Sequence, residues 1–436
     1  MNSNHFSRRH LLSSFGLVAA TSLATGTLTG FGAEEKKGAT ASPRSLNVLD
    51  FGAAGDGVKD NTDAFAAALK AAASDSGNFS VFVPRGRYLI SGNLEIPHSV
   101  TLEGVFSAPS GRTHEHGSVL LAMAGAGDAK GKPFITMRGS STLRGITIFY
   151  PEQKMKNPPV AYPWTVRGQG DNISLIDVLL VNPYQAVDFG THAAGRHFIR
   201  NLYAQPLYRG LFIDQCFDVG RIENIHFWPF WGGWEKELYD FIKSEAIAFV
   251  IGRTDWEYMM NCFCIGYGTG FQFVQTKAGS PNCVLTQCGS DIGPIAVKVE
   301  SCQAHAGLSF VNGQFMAGIE IAETNTGPVK FTSSGFWGID STDRHAVLAG
   351  SGHTTFNGCH FIGWGQKDTK TPAIHARSGG VTVTACDFID LGKAQLMIEK
   401  EVDAALIYGN RFRGKELVAN HAGAKAQIGL NVVTPK

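Results

Sequence analysis

Apolar residues recur along this chain in a short unit that reappears every 21 to 27 residues over its second half. Each unit has an apolar residue followed, five positions later, by Phe or another apolar residue. The pairs are Phe198/Tyr203, Ile222/Phe227, Tyr258/Phe263, Phe310/Phe315, Phe331/Phe336, Phe356/Phe361, Val383/Phe388 and Ile407/Phe412. Because one β-rich unit of this length cannot bury its own inner face, the repeat predicts an all-β solenoid with three short strands per coil.

Asn and Cys accompany the repeat at regular positions. Six Asn residues lie in or beside the repeat units: Asn201, Asn224, Asn261, Asn312, Asn357 and Asn410. Three Cys residues lie three positions after the first apolar residue of a unit: Cys288, Cys359 and Cys386. Stacked Asn side chains satisfy one another and the backbone at turns, and regularly spaced Cys favour an interior ladder. The eight Cys include no CxxC pair, so we expect buried thiols and no structural zinc or other metal.

The segment before the repeats carries a different pattern. Leu46–Gly52 predicts a strand, a Gly-rich turn follows, and the polar run Asp60–Asp63 predicts the start of a helix over Ala64–Ala73. Phe65 and Leu69 lie four apart on one helical face. Further strands are predicted on either side of a Pro-x-Gly turn, within VFVPRGRYLI, and in VTLEGV.

The pieces NVLDFGAAGDGVKDNTDAFAAAL, FVPRGRYLI and VTLEGV resemble the N-terminal cap of the pectate-lyase-like superfamily. This group includes rhamnogalacturonase/epimerase-like and polygalacturonase-related proteins and phage tailspikes. The resemblance implies a single-stranded, right-handed parallel β-helix with an N-terminal capping helix. It covers about sixty residues closely and implies little about the reaction, since these residues build the cap and first coils.

The first residues have the pattern of a targeting signal and not of a folded domain. Arg8-Arg9 precedes a weakly hydrophobic run to about Gly32, which predicts a twin-arginine signal over residues 1–33 and periplasmic or secreted localisation. We expect a linker at 34–45, the β-helix at 46–424 with its cap and first coils at 46–105, and a tail at 425–436. A net charge of +1 argues against nucleic acid or anionic membrane as partners.

Unusual residues concentrate between Phe212 and Tyr267. The step from Ile222 to Tyr258 is 36 residues, about twelve more than a coil needs, and the excess is Trp231–Lys243. This predicts a long loop with a helical turn that leaves the solenoid, and long aromatic loops are usually functional. Two further excursions, 108–132 and 150–165, are predicted to wall the same groove.

Strand alternation predicts which charged side chains face out in this stretch. If Ile222 and Tyr258 both point inward in matching positions, Arg221 lies beside Glu257 on the exterior. Glu223, Arg253 and Asp255 then complete one outer charged patch at the root of the loop. Such a patch offers the paired carboxyl groups that glycoside hydrolysis needs.

We therefore expect a polysaccharide-cleaving glycosidase that requires no cofactor. The candidate catalytic residues are Asp255, Glu257, Glu223, Arg221, Arg253 and His226. The candidate sugar-binding residues are Trp228, Trp231, Trp234, Trp256, Tyr258, Asp214, Asp218 and Glu235. Polygalacturonase motifs are missing here, with Arg221-Ile222-Glu223 in place of Arg-Ile-Lys, so that family's catalytic residues cannot be carried over.

Two alternatives remain open from the residues alone. A polysaccharide lyase would use Arg221, Arg253, His226 or Tyr258 as base, with Ca²⁺ on Asp255 and Glu257. A non-catalytic β-helix would bind glycans or assemble, in which case a homotrimer is expected. His114-Glu115-His116 favours a plain surface loop over a metal site.

Overall fold

The structure, a computed structural model, describes residues 45–74, 79–111, 113–114, 116–338 and 343–435. Those residues belong to one compact unit. The predicted signal at 1–33 and the linker residues up to 44 lie outside the described part. Among the described residues, no helix combines the length and apolar character needed to cross a membrane.

Two parallel sheets wind through the unit and form the predicted right-handed β-helix, in which most coils have the predicted three strands. The larger sheet has 26 described strands and the smaller sheet has 13. Strands of the smaller sheet are Leu94–Ile96, Ile135–Arg138, Trp164–Gln169, Gln185–Phe189, Arg209–Ile213, Ile247–Ile251, Thr269–Phe273, Ile295–Val299, Gly318–Ile321, Ala346–Leu348, Ile374–Ala376, Leu396–Ile398 and Val418–Asn420.

Each coil crosses the larger sheet twice, and a sharp bend separates the two crossings. We call the crossing before the bend the first arm and the crossing after it the second arm. In chain order, the strands are Leu46–Asn47, Asp56–Asp60, Ser80–Val83, Gly86–Ile90, Thr101–Gly104, Ser118–Ala122, Thr142–Arg144, Ile146–Phe149, Ser174–Val181, Phe198–Ala204, Gly220–Phe227, Glu257–Ile265, Cys283–Thr286, Gly289–Asp291, Leu308–Val311, Gln314–Phe315, Val329–Thr332, Gly335–Trp337, His353–Asn357, His360–Ile362, Gly379–Thr384, Asp387–Phe388, Val402–Tyr408, Arg411–Arg413, Ala426–Gly429 and Val432–Thr434.

One residue with a left-handed backbone makes the bend in successive coils. The bend residues are Gly145, Asp177, Asn201, Asn224, Asn261, Gln287, Asn312, Ser333, Gly358, Ala385, Gly409 and Leu430, and each has a positive φ between 51° and 68°. Asn and Gly tolerate this region best. The Asn side chains also stack, because Asn224 Nδ2 donates to Asn201 Oδ1 at 2.9 Å and Asn201 Nδ2 donates to Asp177 Oδ1 at 2.8 Å. The predicted Asn ladder is confirmed for these coils.

Replacing Asn224 by Ala is expected to lower the free energy of unfolding by about 1–2 kcal/mol, because Ala loses the ladder hydrogen bond and is strained at positive φ. Asn224→Gly should cost less, since Gly adopts this conformation freely. Chemical denaturation measures both. Asn357→Ala is the matched control, because Asn357 lies one position before the bend. An equal loss in the control would contradict the strain argument.

Aromatic rings fill the interior from the middle of the chain onward. Phe310, Phe331, Phe356, Val383 and Ile407 occupy equivalent positions in successive coils, as do Phe315, Phe336, Phe361, Phe388 and Phe412. Consecutive rings such as Phe336 and Phe361 stack with centroids 4.8 Å apart. All eight cysteines are buried and free, so the prediction of buried thiols is confirmed.

Among the described residues, two α-helices lie outside the coils. The first, Thr62–Ser74, is the predicted cap, and it buries Phe65 and Leu69 over the first coils. The second, Lys236–Glu245, lies in the predicted long loop. Short 3-10 helices occupy Val48–Phe51 and Gly423–Lys425.

The predicted C-terminal boundary needs a correction. Strands Ala426–Gly429 and Val432–Thr434 pair in register with the preceding coil. Residues 425–434 are therefore part of the β-helix and not a tail.

Candidate functional site

The register at the root of the long loop differs by one residue from the predicted register. Ile222 lies beside Met259 and not beside Tyr258, while Gly220 pairs with Glu257. Since side chains alternate along a strand, a one-residue slip moves every side chain to the opposite face. Tyr258 therefore faces out, 43% exposed, and Glu257 faces the interior with no exposed surface. The prediction of an outer Arg221–Glu257 contact is wrong for this reason.

The predicted site residues are consequently distributed over several places. The first arm carries Arg221, Glu223 and Tyr258 on its outer face, and Arg221 contacts the ring of Phe198 at 5.7 Å. Trp256 is 61% exposed just before the same strand. The interior holds Glu257. The remaining residues lie at one corner of the coils, on the second arm or in the long loop.

Ion pairs and hydrogen bonds occupy the carboxylates at the corner. Asp255 accepts from Arg253 Nη2 at 2.8 Å and from Gln303 Nε2 at 2.9 Å. Asp214 accepts from the Arg253 backbone N–H at 2.7 Å and from Thr276 Oγ1 at 2.9 Å. These contacts hold the corner of the coils together. Asp255 and Glu257 do not form the expected outer pair, because Glu257 points into the interior.

Asp218, at the same end of the coils, pairs with Arg196 at 3.2 Å. The backbone N–H of Val219 and the guanidinium of Arg196 lower the pKa of Asp218. This carboxylate therefore stays ionised and suits a structural ion pair better than proton donation.

Aromatic side chains line a groove along the outer face of the second arm. One recess, of about 170 Å³, is lined by Pro109, Gly111, Tyr203, His226, Trp228 and Phe230. A second, of about 420 Å³, is lined by Asn261, Phe263, Gln287, Cys288, Gly289, Ser290, Asp291, Gln314, Met316 and Trp337. The rings of His226 and Phe263 meet edge to face at 5.4 Å and join the two recesses. We call this surface the outer groove.

The repeat explains the floor of the outer groove. Tyr203, His226, Phe263, Gly289 and Gln314 occupy the same outward position in successive coils. The glycine in this series leaves a flat strip between larger side chains. Trp337, 41% exposed, borders the groove, and its Nε1 donates to Gln314 Oε1 at 2.8 Å. That bond holds the indole ring in place.

The long loop contributes to one wall of the outer groove. The ring of Trp234 packs edge to face on Tyr239 at 5.0 Å, and both rings lie close to Gly266. Gly266 N–H in turn donates to the backbone oxygen of Asp291 at 2.9 Å. The loop therefore lies next to the segment that carries Asp291. Its Trp231 is half-buried and packs on the hydrophobic core, and Glu235 is exposed at the start of the second helix.

Residues 107–111 and 113–114 lie at the other end of the outer groove. Pro109 and Gly111 border Trp228, and the His114 ring lies 5.4 Å from that of Phe149. Met155, from the excursion at 150–165, lies close to Gly232 of the long loop. Parts of both predicted excursions thus lie against the outer groove or its wall.

Asp291 is the carboxylate of the outer groove, and sequence reasoning missed it. Its Oδ1 is buried without a hydrogen-bond partner, and burial raises its pKa, partly offset by the N–H of Ile292. Ile292 itself has a φ of 47°, which costs a β-branched residue about 1–3 kcal/mol. Strained backbone and a carboxyl group that resists ionisation commonly mark functional sites. The signal available in the sequence was the outward position of Asp291, directly after the buried Ser290.

His226 is the second titratable group of the groove. Burial lowers its pKa, so the imidazole is neutral near pH 7 and able to accept a proton. It lies in the row between Tyr203 and Phe263, two strand spacings from the coil of Asp291, which is about 10 Å along the axis. A neutral imidazole and a carboxyl group of raised pKa on one outer face can act on the same bound molecule.

A third recess, of about 550 Å³, lies on the smaller sheet. It contains Glu323, His375, Arg377, Glu399 and Glu401 but no Trp, Tyr or Phe. His375 lies 2.8 Å from Glu399 and lowers the pKa of that carboxyl group. Without flat apolar rings, this recess is the weaker candidate for a sugar chain.

Comparison with known proteins supports the predicted resemblance. Residues 45–116 match the family model of rhamnogalacturonase A/epimerase, pectate lyase-like proteins. The tail spike protein of Shigella phage Sf6 is 26% identical over 333 residues, which are 72% of this chain and 48% of that protein. The chain thus spans about half the length of this curated relative.

Two solved structures share the fold. The mannuronan C-5 epimerase AlgE6 A-module of Azotobacter vinelandii superposes with a TM-score of 0.54 at 15% identity, over 90% of this chain and 100% of that one. The tailspike of E. coli bacteriophage HK620, in complex with a hexasaccharide, superposes with a TM-score of 0.56 at 10% identity, over 90% of this chain and 76% of that one. At these identities the likeness establishes the fold alone.

Proposed function

Because this chain is a parallel β-helix whose residues 45–116 match the rhamnogalacturonase A/epimerase, pectate lyase-like family model, we propose that it binds a polysaccharide in the outer groove and cleaves a glycosidic bond there. One observation carries the proposal: exposed aromatic rings and a half-buried carboxyl group of raised pKa line two neighbouring recesses of the same outer face. The epimerase and the hexasaccharide-bound tailspike agree with a polysaccharide ligand.

Flat apolar rings suit the binding step. Trp228 and Trp337 expose about 40% of their surface at opposite ends of the groove, and Phe263 lies between them. Rings of this kind stack on the apolar faces of pyranoses, while Asn261, Gln287 and Gln314 supply hydrogen bonds to hydroxyl groups. The groove is open at the surface, as an extended chain of several sugars requires.

Asp291 is the proton donor in this proposal. Because burial raises its pKa, this carboxyl group holds its proton to a higher pH than an exposed Asp would, and the protonated form can donate to the leaving glycosidic oxygen. His226, kept neutral by burial, would accept the proton of the attacking water. These roles replace the pairing of Asp255 with Glu257 or Glu223, and they retain His226 as a proton-transfer group.

Glycan binding without turnover is the second candidate, and one observation favours it. Hydrolysis usually uses two carboxyl groups, and Asp291 is the one carboxylate among the described residues that line the outer groove. A lyase with Ca²⁺ on Asp255 and Glu257 has less support, because Glu257 faces the interior and Asp255 is paired with Arg253. Export by a twin-arginine signal and assembly as a homotrimer stay predictions.

The experiment is a product assay on a glycan panel that includes uronic-acid polymers. New reducing ends without an unsaturated, ultraviolet-absorbing product would support hydrolysis. Ultraviolet absorbance that disappears with EDTA would instead identify a calcium-dependent lyase. Binding without either product would leave the second candidate.

Trp228→Ala is expected to weaken glycan binding by about 10- to 100-fold, because an aromatic anchor of the groove is lost. Isothermal titration or glycan-array binding measures the effect. Trp256→Ala is the matched control, since Trp256 is more exposed but lies outside both recesses. If the control weakens binding and Trp228→Ala does not, the sugar chain lies elsewhere.

A further inference from the structure

Three side chains from successive coils meet inside the β-helix, away from the outer groove. His197, Cys216 and Glu257 each have no exposed surface, and their potential ligand atoms all lie within 4.8 Å of one another. His197 Nε2 is 3.0 Å from Glu257 Oε1. Neither the aromatic groove nor the corner ion pairs explain why three such groups are gathered in an apolar interior.

A glycine makes the meeting possible. His197, Gly220 and Glu257 occupy the same inward position in three successive coils. A Cβ atom at Gly220 would lie 2.1 Å from Glu257 Oε2. Because the middle coil has no side chain here, His197 and Glu257 reach across it from either side.

The hydrogen bonds prepare these groups as ligands. His197 Nδ1 lies 2.8 Å from the backbone oxygen of Ala194. Donation to that oxygen places the proton on Nδ1 and leaves the Nε2 lone pair directed at Glu257 and Cys216, the usual arrangement of a metal-bound histidine. The Cys216 thiol donates to the backbone oxygen of Asp218 at 2.7 Å, and loss of that proton would free a thiolate.

Glu257 supplies the observation that points to a ligand. Its Oε2 is buried and has no hydrogen-bond partner. An unpaired carboxylate oxygen in an apolar interior is strongly unfavourable unless a cation compensates it. A pair formed by a charged His197 and Glu257 uses Oε1 and leaves Oε2 and the nearby sulfur unexplained.

We propose that His197, Cys216 and Glu257 bind one divalent transition-metal ion and that this ion links three successive coils. The chemistry of the three ligands favours zinc. Imidazole nitrogen, thiolate and carboxylate are zinc's characteristic protein ligands. A thiolate and a carboxylate also neutralise the charge of the ion, so the buried site carries no net charge. Since the three residues are buried, the metal enters during folding and then exchanges slowly.

Metal analysis of the full chain tests this directly. The chain is unfolded in chelator and refolded with zinc or without it, and it is then dialysed against EDTA. We expect about one retained zinc per chain and a higher melting temperature for the zinc-refolded sample. No retained zinc and identical melting curves would overturn the proposal and leave a His197–Glu257 ion pair.

Cobalt locates the ion. Refolding with Co²⁺ should produce visible absorption bands and a near-ultraviolet thiolate-to-cobalt band. Cys216→Ser should abolish the thiolate band and weaken cobalt binding by at least about tenfold. Cys264→Ser is the matched control, since Cys264 is equally buried but outside the group, and it should retain both signals. If Cys216→Ser keeps the band, another cysteine holds the metal and the proposed site is wrong.

Discussion

Replacing Asp291 by Asn should lower turnover by about 10²- to 10⁴-fold while glycan affinity changes little, because the amide cannot donate the proton that the leaving oxygen needs. Asn has nearly the same shape, so the recess around it stays intact. Initial rates on the best substrate of the panel, together with binding titrations, measure the two effects separately.

The control for this variant lies on the other sheet. Glu399→Gln removes a carboxyl group from the recess that has no Trp, Tyr or Phe, and the rate should remain unchanged. If Glu399→Gln removes turnover and Asp291→Asn does not, catalysis belongs to the smaller sheet. If binding survives and no variant or substrate shows turnover, the non-catalytic reading holds.

The pH profile provides an independent check on Asp291. A general acid works while it is protonated, so the rate is present below the pKa of Asp291 and is lost as the pH rises through it. Burial raises this pKa above the ordinary aspartic acid value, so the loss should occur at a higher pH than a solvent-exposed Asp would give. This decrease of kcat/KM with rising pH should be absent in Asp291→Asn. If the decrease is unchanged in the variant, another group is responsible for it.

Replacing Phe361 by Ala is expected to lower the free energy of unfolding by about 3–5 kcal/mol. The ring is fully buried and stacks at 4.8 Å on Phe336 from one coil and on Phe388 from the next. Removal leaves a cavity that rigid coils on both sides cannot close. Equilibrium denaturation with guanidinium, at matched m-values, measures the loss.

Ile362→Ala is the matched control for the ring ladder. Ile362 is the next residue on the same strand, points outward and is 39% exposed, so its loss should cost well under 1 kcal/mol. Equal effects of the two substitutions would contradict the view that the interior rings carry the stability of these coils.

The sequence by itself determined the architecture, because a sequence repeat of one coil length specifies which residues stack in a β-helix. From residue 310 onward, the Phe units have the register predicted from their spacing. The cap helix was predicted within two residues of its observed bounds. Each of these features depends on residues close in sequence or on an identical neighbour one coil away.

Tertiary structure decided the register where the long loop interrupts the repeat. The Asn bend implied the correct answer, since Asn224 and Asn261 are 37 residues apart and place Ile222 beside Met259. The apolar repeat unit instead implied a spacing of 36 residues, which placed Ile222 beside Tyr258. Because side-chain direction alternates with every residue, this single step exchanged Glu257 and Tyr258 between interior and surface.

The composition of the outer groove also depended on the tertiary fold. Trp228 and Trp337 are 109 positions apart in the chain, and Asp291 lies between them in an unremarkable Gly-Ser-Asp segment. No local pattern brings them together; the winding of the coils places their outward positions in adjacent rows. The sequence thus determined which side chains alternate in and out along each strand, and only the stacking of whole coils decided which of them became neighbours.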